Sequence, residues 1–449
     1  MSDEKPFHLR GNFAPVAEEV TAFDLPVEGA LPRELDGLYV RNGANPVGGE
    51  SPHWFLGHGM LHGVRLGGGR ARWYRNRWVR TPYFENPSLS RIAADGTVDR
   101  LASAANTHVI AHHGRILALE EGSFPWVVDR ELGTVGPDDY AGRLRTAMTA
   151  HPKICPLTGE LLFFGYHFLP PYFVYHRASA DGTLVQSEEI AVGGPTMHHD
   201  FAITETRTLV MDLPVVFDLQ AALQGTMPFR WSDDYPARIG VLPRSGGNAD
   251  VRWFEIAPCY VFHSVNAYDD AGEVVLDVCR ISELWRKPGD MQGGGAGRQT
   301  LHRFRLDLAT GNAKEETLDE RGMEFPRVAD ARVGRRHRYV YTVQFGSGPD
   351  GAPAFAGLLK LDLASGRSWL HAFGVGNPGE PVFVPAAGAD PAADEGWVMT
   401  YVHDESSGRS ELVVLDASRF DAAPVARVAL PQRVPCGFHG SWIPDAALG

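Results

Sequence analysis

A turn recurs along this chain in nearly the same letters. Leu306-Asp307-Leu308-Ala309-Thr310-Gly311 is almost repeated by Leu361-Asp362-Leu363-Ala364-Ser365-Gly366. Looser relatives are Pro156-Leu157-Thr158-Gly159, Ser179-Ala180-Asp181-Gly182-Thr183 and Val128-Asp129-Arg130-Glu131-Leu132-Gly133. In each, a strand-like run ends at a glycine-containing turn and a second run follows, which is a β-hairpin signature. Short strand-like runs lie between the turns, at residues 115–120, 160–166, 207–213, 273–279, 338–345 and 397–402. Amphipathic helical patterns are nearly absent, and residues 215–224 and 280–285 are the best short candidates. Many short strands punctuated by 50 glycines and 32 prolines read as a sandwich, a barrel or a propeller. The length of 449 residues favours the propeller, as one all-β domain over residues 1–449. Seven four-stranded blades of about 60 residues fill such a chain and leave a central channel. No WD or kelch signature is present, so the repeat rests on hairpin rhythm. The glycine-rich residues 291–298 read as a loop, because they follow no strand with GxGxxG spacing.

Four histidines fit that frame. His151, His199, His263 and His439 each lie in or beside a strand-like run, separated by 48, 64 and 176 residues. On a repeat of about 60 residues these gaps are near one, one and three units, so four blades could each send one imidazole to the axis. Imidazole suits iron, copper, nickel and zinc. The spacing therefore suggests an all-histidine metal centre, with none of the short ligand clusters such as HExxH or CxxC. His198 adjoins His199, and neighbours on a strand face opposite ways, so only one of the two can look down the axis.

Charge and cysteine usage narrow the setting. A net charge of −13 makes nucleic acid an unsuitable partner, since phosphate binding needs a basic face. Hydrophobic residues at 44% supply a large core. The polar start Met1-Ser2-Asp3-Glu4-Lys5 lacks the apolar segment of a secretory signal, and no apolar run approaches a membrane span. Cys155, Cys259, Cys279 and Cys436 form no CxxC pair and read as reduced thiols, so the expectation is a cytoplasmic protein.

The residues around the four histidines are specific. They read Thr149-Ala150-His151-Pro152-Lys153, Pro195-Thr196-Met197-His198-His199-Asp200-Phe201, Tyr260-Val261-Phe262-His263-Ser264-Val265-Asn266 and Gly437-Phe438-His439-Gly440-Ser441-Trp442. With the N-terminal Leu31-Pro32-Arg33-Glu34-Leu35-Asp36-Gly37-Leu38-Tyr39-Val40-Arg41-Asn42-Gly43, the chain resembles the carotenoid cleavage oxygenases along nearly its whole length. That family includes lignostilbene dioxygenases and the retinal isomerohydrolase. The resemblance implies a seven-bladed propeller capped by loops and short helices that enclose a substrate tunnel. It implies Fe(II) on the axis, bound by His151, His199, His263 and His439. The family's ligand directly precedes Asp-Phe, which selects His199 over His198.

Further roles follow from the same resemblance. Glu121, Glu324 and Glu380 match glutamates that receive the second N–H of ligand histidines, and such partners fix tautomer and ring orientation. Thr107 matches a threonine that restricts access to an open coordination position. Phe124, Trp126, Tyr166, Phe168, Tyr172, Phe173, Trp231 and Trp285 are candidate tunnel aromatics, although most such residues simply fill cores. Residues 168–173 and 213–217 are candidates for an apolar entrance in peripheral contact with membrane. Two departures stand out. The lignostilbene-cleaving branch has a lysine before the glutamate matched by Glu121, where this chain has Glu120; its Tyr-Arg-Asn-Pro-Phe segment is replaced by Glu85-Asn86-Pro87-Ser88-Leu89-Ser90 after Phe84. The phenol clamp is missing. The family's Gly-Asp-Gly-Met also stands here as Gly57-His58-Gly59-Met60, a change without a functional reading.

The expected activity is Fe(II)-dependent cleavage of a C=C bond in an apolar carotenoid or apocarotenoid, with O2, to two carbonyl products. Cleavage of stilbenes or phenylpropenes is the runner-up, disfavoured by the missing clamp, and isomerohydrolase chemistry comes third. A non-catalytic propeller that binds apolar ligands is the alternative outside catalysis, and the intact histidine and glutamate sets speak against it.

Overall fold

The hairpin rhythm becomes seven antiparallel sheets arranged as the blades of a β-propeller. The structure is a computed structural model that describes residues 5–93, 96–223, 227–286, 296–348, 352–390 and 393–448. The recurrent turn explains its own letters. Asp307 Oδ1 accepts the Ala309 and Thr310 amides, and Asp362 repeats this with the Ala364 amide and the Ser365 hydroxyl. Gly311 and Gly366 close these turns at φ +82° and +71°, a region that favours glycine.

Blades 2 to 6 follow chain order, each starting at its innermost strand: His108–His112, Lys153–Ile154, Ala202–Ile203, Tyr260–Asp270 and Met323–Arg327. Blades 1 and 7 mix the two ends of the chain. In blade 1 the innermost strand is Gly440–Pro444, hydrogen-bonded to Gly37–Ala44. In blade 7 the outermost strand is Val27–Gly29, paired with Ala426–Ala429, while Val382–Pro385 lies innermost. Two interlocks therefore close the ring.

Side chains alternate across each sheet, so every blade presents two apolar faces. Leu161 and Phe163 pack toward Leu117 and Leu119 of blade 2, while Leu162 and Phe164 pack toward Phe201 and Val210 of blade 4. Fully burying a side chain of this size contributes roughly 1.5–3 kcal/mol, so one short run bonds three blades together. The same arrangement recurs at every blade boundary, giving seven core clusters among the described residues, one per interface.

The structure alters two local expectations. Residues 280–285 are not helical: Arg280 and Ile281 finish the strand Glu273–Ile281, and Leu284 bridges to Ala296. Pairing with Gln299–Asp307 outweighs a weak helical pattern in so short a segment. Of residues 215–224, Val215–Phe217 is a strand paired with Phe229–Trp231, only Leu219–Leu223 is helix, and Gln224 lies outside the described residues. The expected glycine-rich loop also lies largely outside them, at residues 291–295. Cys155, Cys259, Cys279 and Cys436 are buried free thiols. Among the described residues no helix is long and apolar enough to cross a membrane.

Buried histidines give the fold a pH signature. His176 stacks on Phe163 at 4.9 Å, with Thr146 Oγ1 at 2.7 Å and Ser187 Oγ at 2.8 Å from its ring nitrogens. Burial pulls its pKa down to about 4. Between its ordinary pKa of 6.5 and 4, the unfolded chain binds a proton that the folded one does not, so stability falls as pH falls. From pH 7 to 5 this one group is expected to cost about 2 kcal/mol. Urea unfolding of wild type and His176→Gln at both pH values checks this. The variant should lose less stability on acidification, and equal losses would contradict the assignment.

Candidate metal centre

Each histidine of interest stands where an innermost strand begins. His151 precedes Lys153–Ile154, His199 precedes Ala202–Ile203, His263 lies within Tyr260–Asp270, and His439 directly precedes Gly440–Pro444. These strands belong to blades 3, 4, 5 and 1, which accounts for sequence gaps of one, one and three repeats. Thr149 helps set the first two: its hydroxyl accepts the His151 amide and donates to the His199 carbonyl. The backbone of His439 is fastened between Asn42 and Thr107, with its amide 3.1 Å from the Thr107 carbonyl.

The four side chains meet on the axis, with one potential ligand atom of each lying within 4.8 Å of the others. The Nε2 atom of His263 lies 3.4 Å from that of His199 and 3.2 Å from that of His439. The His151 ring sits 4.4 Å from His199 and 4.6 Å from His439. Three of the four Nδ1 atoms face a carboxylate: His199 faces Glu121, His263 faces Glu324 at 2.5 Å, and His439 faces Glu380 at 2.9 Å. A carboxylate accepts, so the proton stays on Nδ1 and each Nε2 turns a lone pair inward. Lone pairs facing each other at 3.2–3.4 Å repel unless a cation lies between them. The buried Nε2 of His151 likewise has no hydrogen-bond partner among the described residues. The donor set fits a metal ion.

Electrostatics agree with that chemistry. Burial, and then the neighbouring imidazoles, push His151 and His439 well below the ordinary histidine pKa. Burial also pulls on His199, but the Glu121 carboxylate outweighs it and raises that group. The glutamates are themselves held. Glu121 Oε2 accepts the Tyr166 hydroxyl at 2.8 Å, and Glu380 Oε2 accepts the Gly440 amide at 2.8 Å with Arg327 Nη1 at 3.4 Å. Lys153 pairs with Asp200 at 2.7 Å, and Asp200 takes the amide and hydroxyl of Ser264, tying blades 3, 4 and 5 together beside the histidines.

The remaining sequence candidates fall in varied places. His198 turns away from the axis, with Nδ1 3.1 Å from the Met211 carbonyl and its ring against Phe164 and Phe173. Thr107 stands just before the innermost strand of blade 2, and its hydroxyl donates to Asn106 Oδ1 at 2.9 Å. His58 stacks on Tyr83 at 4.9 Å and accepts the Val47 amide. Trp126, Phe173 and Trp285 are core residues, and Trp285 also packs against Phe55 and Phe262. The aromatic rings touching the histidines are ones the sequence reading did not single out. Phe262 lies edge-on to His199 at 5.2 Å, and Phe325 contacts His263 and His439 at 5.4 and 5.3 Å. Both adjoin a candidate residue, His263 and Glu324, and that adjacency was the available signal. His108 also packs 5.2 Å from His439, yet its Nδ1 is used by the Ala150 carbonyl.

Comparison with known proteins places this arrangement. A family model described as retinal pigment epithelial membrane protein matches residues 13–444. A carotenoid cleavage oxygenase of Mycobacterium tuberculosis is 40% identical, over 97% of this chain and 97% of its own. Among solved structures, lignostilbene dioxygenase of Pseudomonas brassicacearum superposes with a TM-score of 0.87 at 30% identity, covering 99% of this chain and 100% of that one. A cobalt-substituted Synechocystis apocarotenoid oxygenase gives 0.85 at 27% identity, covering 96% and 98%.

One variant series tests the centre. His151→Ala, His199→Ala, His263→Ala and His439→Ala are each expected to abolish stoichiometric metal, whereas His198→Ala retains it. Replacing Glu121, Glu324 or Glu380 by Gln is expected to weaken metal affinity roughly 10- to 100-fold. Tyr166→Phe should fall nearer wild type, because it removes only a support of Glu121. Elemental analysis and competition with a metal chelator give these values. Full occupancy in His199→Ala with loss in His198→Ala would reverse the choice between the two neighbours.

Proposed function

Since the chain belongs to the carotenoid cleavage oxygenase family, we propose that it is an Fe(II)-dependent dioxygenase that cleaves one C=C bond of a carotenoid or apocarotenoid. The observation that carries the reading is the convergence of four Nε2 lone pairs at one buried point, three of them oriented by carboxylates. In this proposal His151, His199, His263 and His439 hold the iron, and Glu121, Glu324 and Glu380 orient the last three. Iron held there supplies activation of O2, whose two atoms end on the two carbons of the broken double bond as two carbonyl groups. Four neutral imidazoles add no charge, so the three glutamates offset that of the ion from one layer out. Thr107, just before the innermost strand of blade 2, accepts the His439 amide on its carbonyl, and in this proposal it restricts access to the open side of the metal.

Apolar surroundings support the polyene class. Phe262, Phe438, Phe55 and Trp285 form a linked aromatic group beside the histidines, with Phe325 packed separately on His263 and His439, and these rings can hold a conjugated chain by shape and dispersion. Regioselectivity then follows from where this wall stops the substrate, a matter of positioning. Apolar entrance is supported as well. Phe168 stacks on Phe217 at 5.0 Å, and Leu169, Leu219 and Leu223 are exposed nearby in sequence, which favours peripheral membrane contact of a cytoplasmic protein.

Similarity to a lignostilbene dioxygenase structure favours a second reading, stilbene cleavage. The residue at the expected clamp weighs against it. Glu120 is buried and already accepts from Arg91, the Ser123 hydroxyl and the Gly122 amide, so it is not free to hold a phenol. Losing such a partner forfeits about 1–3 kcal/mol. Iron-loaded enzyme is therefore expected to cleave an apocarotenal faster than a 4-hydroxystilbene under matched conditions, with aldehyde products identified by mass spectrometry. Ready cleavage of the stilbene with no polyene turned over would replace the first reading by the second.

A further inference from the structure

A cavity of about 480 Å³ runs along the propeller axis and is lined at its inner end by His151, His263 and His439. It lies on one side of the histidines only. In blades 3, 4, 5 and 1 the lining residues follow the histidine in sequence: Lys153 and Ile154, Ala202 and Ile203, Ser264 to Asn266, and Ser441 to Pro444. Phe262 and Phe325, which pack against the histidines, are absent from its walls, whereas the His108 ring, packed against His439, is among them. The two sides differ in chemistry. One is aromatic; the other is largely aliphatic, with Ile154, Ile203, Val265 and Val328 in its walls, and carries Lys153 paired with Asp200, and Arg327 beside Glu380 and Asp330. Two cations thus face three carboxylates, and the Asp330 side chain is 73% exposed.

We propose that this axial cavity is the route by which the metal ion reaches the histidines, separate from the aromatic side that holds substrate. The inference rests on the reading that the four histidines bind a metal. A divalent ion in water keeps its hydration shell until ligands replace it, and stripping that shell against an aromatic wall is costly. Six waters at about 30 Å³ each occupy roughly 180 Å³, which the cavity volume accommodates. Paired ions along the wall offer polar contacts without trapping the ion, since each carboxylate is tied to a cation or to histidine, Asp330 through Arg327 at 3.6 Å. The excess carboxylate at the exposed end attracts cations from solution. At the inner end the ion exchanges water for imidazole and stays.

Metal-free protein mixed with cobalt(II) chloride, quenched with chelator at timed intervals and assayed for bound cobalt, measures the route directly. Ala331→Trp and Ala111→Trp fill the cavity from two walls without touching the histidines. Each is expected to slow uptake tenfold or more, to reach the same final cobalt per chain, and, once iron-loaded, to cleave substrate at the wild-type rate. Wild-type uptake rates in both variants, with wild-type circular dichroism, would overturn the proposal. So would unchanged uptake with slowed turnover, which would make the cavity a substrate or product path. Should the tryptophan variants fail to fold, Asp330→Asn at the exposed end keeps the test alive: uptake should slow two- to threefold and depend less on salt, and an unchanged rate and salt dependence would refute the route. A wild-type chain that takes up no cobalt at all would remove the metal reading itself, and the route with it.

Discussion

The hydrogen bonds between Gly440–Pro444 and Gly37–Ala44 decide whether this chain has a centre at all. Each blade is apolar on both faces, so an open row of blades would leave two sheet faces in water, and only a closed ring buries all of them. The same pairing positions His439, the one candidate ligand contributed from the far end of the chain. Gly437 and Gly43 lie back to back at this seam, where a Cβ on Gly43 would sit 2.8 Å from Gly437 Cα. Close approach of the two backbones is what Cys436-Gly437-Phe438-His439-Gly440 encodes, and it delivers the fourth imidazole to the axis.

With the ring closed, the inner strands compose the site between them. Blades 1, 3, 4 and 5 send histidines, blade 6 sends Glu324, blade 7 sends Glu380 and blade 2 sends Glu121 from beyond its second strand. Orientation is then electrostatic. A buried polar atom left without a partner costs about 1–3 kcal/mol, and several inward-facing lone pairs repeat that cost at one point. The carboxylates of Glu121, Glu324 and Glu380 hold the imidazoles in that unfavourable attitude. Such an arrangement persists because the surrounding blades are bonded by seven apolar interfaces. A cation held between them would relieve the strain and would couple metal binding to stability.

The polar belt next to the histidines serves the same end. Asp200, between Lys153 and Ser264, and Arg327, between Glu380 and the Gly440 carbonyl, cross blade boundaries close to the axis. Apolar contacts tolerate sliding, whereas a buried ion pair with further hydrogen bonds has one geometry. These pairs therefore set the angles between blades that carry the histidines.

Much of this was legible in one dimension. Hairpin turns such as Leu306–Gly311 are local, so the residues that make them announce the strands on either side, and strand count with chain length points to a propeller. The histidine contexts, and through the family resemblance Glu121, Glu324 and Glu380, were legible because each is set in a short, distinctive strand start. Residues 280–285 misled because a weak helical period cannot register the neighbouring strand that captures it. Tyr166 behind Glu121, Phe325 against two imidazoles and the axial cavity were not legible, since each joins residues from different blades. Sequence by itself determined which residues end strands, which alternate into two faces and which imidazoles stand at inner-strand starts, because those are properties of a few consecutive residues. Only the tertiary structure decided that the lone pairs converge, that one side of them is aromatic and the other aliphatic with ion pairs set into it, and that Glu120 is already taken by Arg91. Those facts depend on distances across a ring whose closure no local segment contains.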